Sequence, residues 1–86
     1  MKVLITDDHA IVREGLQAIL SVQPDIEVVG EATNGEESVK KVKELQPDIV
    51  LMDITMPGMN GLEATRLIKK QNPEMKILVL TMHEED

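Results

Sequence analysis

Three aspartates carry the most pointed chemistry in this chain. Asp7 and Asp8 follow the apolar run Val3–Thr6, and Asp53 closes the run Ile49–Asp53 after four apolar residues. A carboxylate at the end of a buried strand costs desolvation that another aliphatic residue would avoid. With the second apolar run on the far side of the first, the first and third lie side by side. The three carboxylates then converge in one small pocket. Anions at that range repel, and they persist together when a hard cation neutralises them. An oxygen-only ligand set suits Mg²⁺, which keeps several waters and takes only a few carboxylates. For Asp7 and Asp8 a plainer role stays open, as the cap of the following helix in contact with its dipole. That role gives no reason for Asp53.

The stretch after Asp53 is Ile54-Thr55-Met56-Pro57-Gly58-Met59-Asn60-Gly61. Pro57-Gly58 and Asn60-Gly61 both favour special backbone geometry. A tight loop of this kind brings main-chain N–H and C=O groups close to a ligand beside Asp53. An ordinary strand-to-helix connection explains the Asn60 cap but gives no reason for a carboxylate at the strand end.

The elements that must position these groups alternate in type. Val3–Thr6, Ile26–Glu31, Ile49–Asp53 and Lys76–Thr81 are short and rich in Val, Ile and Leu. Nearly continuous apolar runs are how strands read when both faces of a sheet are covered. Helical spacing separates them. Ile11, Val12, Leu16, Ile19 and Leu20 form one apolar stripe; Val39, Val42 and Leu45 form a second; Leu62, Thr65 and Ile68, with Leu67 beside them, form a third. Asn34 and Asn60 each have a Glu three residues on, Glu37 and Glu63, which resembles a capping box. Pro24, Pro47 and Pro73 fall between each helix and the next strand. The reading is β-α-β-α-β-α-β, an α/β architecture with a parallel sheet. In such sheets ligands bind beyond the carboxyl ends of the strands, where Asp7, Asp8, Asp53 and Thr81 lie.

Composition narrows the function classes. The 86 residues include 16 acidic and 9 basic side chains, for a formal charge of -7. That length suits one domain, residues 1–86. There is no Cys, which excludes disulfides and thiolate metal sites, and no Phe, Tyr or Trp, which excludes stacking of bases on an aromatic platform. The acidic balance argues against direct nucleic-acid binding by this chain. The apolar runs are too short to cross a membrane, and the N-terminus does not read as a secretory signal. A cytoplasmic location is expected.

In order and along all 86 residues, the chain resembles the receiver domain of two-component response regulators. The carriers are Leu4-Ile5-Thr6-Asp7-Asp8-His9, then Pro47-Asp48-Ile49-Val50-Leu51-Met52-Asp53 running on to Gly61, then Ile77-Leu78-Val79-Leu80-Thr81. The Asp-Asp-His start and the Leu-Thr-Met-His end are most similar to the NarL/LuxR subfamily, whose members usually carry a C-terminal helix-turn-helix domain that binds DNA. The resemblance implies a flavodoxin-like, doubly wound sheet of strand order 2-1-3-4. It implies that Asp53 accepts a phosphoryl group from a sensor histidine kinase. Mg²⁺ would be held by Asp7 or Asp8, by Asp53 and by the main-chain carbonyl of Thr55. Thr81 would supply the switch hydroxyl. The main-chain N–H groups of Ile54 and Met82 would hold phosphoryl oxygens. The face of the first helix carrying Arg13, Glu14 and Gln17 would help dock the kinase.

The family's fifth strand, with its Lys and switch residue, and its last two helices have no counterpart here. The expectation is a truncated receiver, a phospho-acceptor and not a turnover enzyme. The alternative is a phosphorylation-incompetent fragment that only associates. Aspartyl-phosphate hydrolases of the haloacid-dehalogenase type need a second Asp two residues after the nucleophile, and that position here is Thr55. His9 reads as a helix-start residue beside the pocket, His83 as a solvated tail residue. The fourth strand is expected at a sheet edge. A homodimer would form through that edge or through the uncovered face.

Overall fold

The computed structural model describes residues 1–54 and 61–80. The elements are β1 (Lys2–Thr6), α1 (Ala10–Ser21), β2 (Glu27–Ala32), α2 (Gly35–Leu45), β3 (Ile49–Asp53), α3 (Gly61–Gln71) and β4 (Lys76–Leu80). The strands form one parallel sheet of order β2-β1-β3-β4. This is the flavodoxin-like order expected from the sequence. From β1 the chain steps outward to β2, then returns past β1 to β3. The reversal leaves a crevice between the carboxyl ends of β1 and β3.

Alternation along the strands builds two cores. Leu4, Val50 and Met52 point to one face and pack with Val42 of α2, Ala64 and Ile68 of α3, and Met75. Val3, Ile5 and Leu51 point to the other face, where Leu16 and Leu20 of α1 cover them. Both faces of β1 and β3 are therefore buried, which is why those strands read as unbroken apolar runs.

The first helix corrects the expected stripe. Leu16 and Leu20 face the sheet, whereas Ile11 and Ile19 are exposed. Residues four apart share a helix face, and a residue one position off is turned by about 100°. The inward set therefore excludes Ile11 and Ile19.

The cap at α2 forms as read, with one difference. The Asn34 side chain accepts the N–H of Glu37 at 2.8 Å. The Glu37 carboxylate reaches back past Asn34 and accepts the N–H of Thr33 at 2.6 Å. At the other end Gln46 turns left-handed, with φ 49, and donates its N–H to Val42 O at 3.0 Å. That turn ends the helix one residue before Pro47. The expected Asn60 cap lies outside the described residues. No helix among the described residues is long and apolar enough to cross a membrane.

Candidate functional site

The pairing of β1 with β3 sets the geometry. Thr6 stands opposite Met52 in that ladder, and Asp7 and Asp53 are each the next residue along. Both aspartates are fully buried. One ligand atom from each of Asp7, Asp8, His9 and Asp53 lies within 4.8 Å of the others. The convergence expected of the three carboxylates is present, and it includes a histidine.

Asp7 is held at several points. Its N–H donates to Ala32 O of β2 at 3.0 Å. Its carbonyl accepts Nη1 of Arg13 at 2.8 Å, and its Oδ1 accepts the N–H of His9 at 2.7 Å. Its Oδ2 is buried and accepts no hydrogen bond from the described residues. A buried carboxylate oxygen in that state is costly, and a cation relieves the cost.

The helix-cap alternative for the acidic pair does not hold. The N-cap of α1 is His9, which makes no side-chain cap bond, and the first turn of the helix carries no acidic residue. The Asp7 carboxylate takes the His9 N–H, before the helix begins.

His9 stands at the mouth of the cluster. Its Nδ1 is 2.8 Å from Asp7 Oδ1, 3.0 Å from Asp8 Oδ1 and 4.0 Å from Asp53 Oδ2. The hydrogen bond to Asp7 and then the charge of Asp8 raise its pKa above the ordinary imidazole value of 6.5. The carboxylates thus favour a positive charge where their oxygens converge.

The chemistry of the donor set fits Mg²⁺. Asp7, Asp8 and Asp53 offer hard oxygen atoms, and the Oδ2 of Asp7 is available for coordination. Of the other expected contributors, Thr55, Thr81 and Met82 lie outside the described residues, as does His83. Ile54 closes the β3–β4 ladder, where its N–H donates to Leu80 O at a long 3.4 Å.

Comparison with known proteins decides the family. The response regulator receiver domain model matches residues 3–86. The chain belongs to that family. The response regulator GacA of Pseudomonas syringae pv. syringae is 50% identical across all 86 residues, which cover 40% of its length. A LuxR-family two-component response regulator from an Aurantimonas species superposes with a TM-score of 0.91 at 42% identity, over 96% of this chain and 59% of that one. The CheX–CheY–BeF3–Mg²⁺ complex of Borrelia burgdorferi contains a chain that superposes at 0.91 with 28% identity, over 100% of this chain and 65% of that one. The receiver resemblance and the LuxR-type likeness drawn from the sequence are borne out. The chain spans about two fifths of the length of the curated relatives it matches.

Within this receiver, three features of the site escaped the sequence. Arg13 does not join Glu14 and Gln17 on the exposed face of α1; its guanidinium turns back to Asp7 and Glu31. Thr6 and Ser38, both fully buried, share a 2.9 Å hydrogen bond that ties α2 to β1 one residue before Asp7. Gly61 packs against the main chain of Asp53. Only Gly61 left a trace in the sequence, where it read as part of a turn.

Proposed function

We propose that this receiver accepts a phosphoryl group on Asp53 from a sensor histidine kinase, with Mg²⁺ held by Asp7, Asp8 and Asp53. The observation that supports the reading most is the pairing of two buried aspartates at the carboxyl ends of adjacent strands, with the Oδ2 of Asp7 left for a cation. An Asp53 carboxylate oxygen forms the new bond to phosphorus. The bond from phosphorus to the kinase imidazole nitrogen breaks, and its electron pair returns to that nitrogen. Mg²⁺ held there would supply charge stabilisation to the transferring phosphoryl group. Asp7, fixed through its N–H, its carbonyl and its Oδ1, keeps its carboxylate aligned with the site. Thr55 would add its main-chain carbonyl to the metal. Thr81 would turn its hydroxyl to the phosphoryl group, and the N–H groups of Met82 and of Ile54, the latter giving up its long bond to Leu80 O, would hold its oxygens.

In a whole regulator this event would control a DNA-binding output, in the cytoplasm. The chain would act once per phosphoryl group received and not as a turnover enzyme. The CheX–CheY complex of Borrelia burgdorferi contains beryllium fluoride and Mg²⁺, which suggests the probe. The test is a Mg²⁺ titration followed by acetyl phosphate or beryllofluoride. Saturable Mg²⁺ binding and a stable acyl phosphate are expected. Indifference to both would overturn the reading and favour a module that only associates.

A further inference from the structure

We infer that Arg13 is a positioning residue for the cation site, and that Glu31 lets it act without adding net charge beside the carboxylates. The inference rests on the Mg²⁺ reading above.

One guanidinium makes two directed contacts. Nη1 donates to the carbonyl of Asp7 at 2.8 Å, and Nε donates to Glu31 Oε1 at 2.9 Å. The Arg13 side chain is 17% exposed and that of Glu31 34%. The Asp7 N–H is already held by Ala32 O, in the residue after Glu31 on β2. Both peptide groups that flank the Asp7 Cα are therefore anchored, one by β2 and one by α1 through Arg13. With its main chain fixed and its Oδ1 engaged by His9, the Oδ2 of Asp7 has one direction left.

Charge explains the presence of Glu31. A lone guanidinium bonded to the ligand's own carbonyl would repel an arriving divalent cation. Paired with Glu31, Arg13 offers a donor without that repulsion. The carbonyl of Glu31 also accepts Lys41 Nζ, which ties this part of β2 to α2 and steadies the far end of the pair. Lys cannot replace Arg13 fully, because a single ammonium lacks the planar fork that reaches both acceptors.

The test is Mg²⁺ titration of the whole chain, parent against variants, with thermal melts in parallel. The double variant Arg13→Met with Glu31→Gln removes one charge of each sign and leaves the net charge unchanged. Its Mg²⁺ dissociation constant should rise about tenfold, as for the loss of other groups that orient metal ligands. Arg13→Lys should recover part of the affinity and bind about threefold more weakly than the parent. A purely structural pair would lower the melt and leave the dissociation constant alone. A folded double variant that binds Mg²⁺ like the parent overturns the inference. If the double variant does not fold, Arg13→Lys decides, and parent-like affinity or loss of fold there overturns it too. A parent that binds no Mg²⁺ brings down this inference and the functional reading together. A parent that binds, with variants that bind equally, brings down this inference alone.

Discussion

Gly61, the first residue of α3, rests directly on the main chain of Asp53. A Cβ at Gly61 would stand 2.8 Å from the Asp53 carbonyl carbon and 2.7 Å from the Cα of Ile54. Those neighbours are backbone, which cannot swing aside as a side chain can. Gly61→Ala should therefore cost about 1–3 kcal/mol, the usual range for overpacking. It should also weaken Mg²⁺ binding, because the strain falls on Asp53. Gly15→Ala is the matched control. Nothing lies within 4 Å of a Cβ there, in the exposed part of α1. That substitution should stabilise by about 0.5–1 kcal/mol through helix propensity. Paired thermal melts and Mg²⁺ titrations check both; equal melts for the two variants would count against the close approach.

Asp53 is the expected site of acyl-phosphate formation, and Asp48 provides the contrast. Asp48 lies just before β3, at the opposite end of the strand, where its Oδ2 accepts the N–H of Lys2 at 2.6 Å. Asp53→Asn should abolish labelling by acetyl phosphate. Asp48→Asn keeps an acceptor for Lys2 and should leave labelling largely intact. Undiminished label on the Asp53→Asn chain, read by intact mass, would remove the assignment.

Asp7 and Asp8 should act through the cation. Replacing both by Asn keeps residues of similar shape and removes two of three clustered charges. Mg²⁺ affinity should collapse while the cooperative melt survives, with the midpoint unchanged or raised as repulsion between carboxylates is relieved. Unchanged Mg²⁺ affinity in a folded double variant would return the pair to a structural role.

Glu37 makes a small, pH-dependent contribution to stability. Its hydrogen bond from the Thr33 N–H, the largest cause, lowers its pKa below the ordinary 4.5. A depressed carboxyl stabilises the fold at pH values above the unfolded pKa, and the contribution fades as pH falls through the folded value. Glu37→Gln retains an oxygen for Thr33 but loses the charge at the N-terminus of α2. The loss at pH 7 should be about 0.5 kcal/mol, because solvent screens much of the interaction. For a domain of this size that is roughly 2–4 °C in melting midpoint. The gap between parent and variant should narrow as pH is taken below 4.5 and close once Glu37 is protonated. A gap that stays constant from pH 7 to pH 3 would contradict the assignment.

What could be read from the sequence depended on whether the signal was local. The strands β1 and β3 were legible because burial on both faces leaves Val3–Ile5 and Ile49–Met52 without polar interruption. The prolines and the Asn34 cap act within a few residues, so they too were readable. Asp53 stood out because a carboxylate interrupts an apolar run. The inward turn of Arg13 was not legible, since it depends on Glu31 and Asp7, which only the sheet brings alongside. The Thr6–Ser38 bond joins residues 32 apart, and each alone is an unremarked small polar residue. Ile11 and Ile19 misled because an apolar residue next to a stripe looks like part of it until the helix is set on the sheet.

The exposed edge of the sheet should make the 86-residue chain associate. Among the described residues β4 is the last strand in the order, and one side of its backbone pairs with no other described strand. Two of its apolar side chains are uncovered as well: Leu78 is 53% exposed and Val79 39%. Successive strand residues point to opposite faces, so neither face of this edge is polar. An apolar edge without Pro or an internal charge favours pairing with another strand. The net charge of -7 opposes close approach of two copies, and salt screens that repulsion. Association should therefore strengthen between low and moderate ionic strength, the reverse of a salt-bridged interface. Leu78→Lys should weaken it about tenfold or more, since burying one Leu is worth roughly 1.5–3 kcal/mol and a charge on an edge resists pairing. Sedimentation velocity at several protein and salt concentrations reads both effects. A monomer at every concentration and salt level, with a cooperative melt, would show that two copies do not bury this edge.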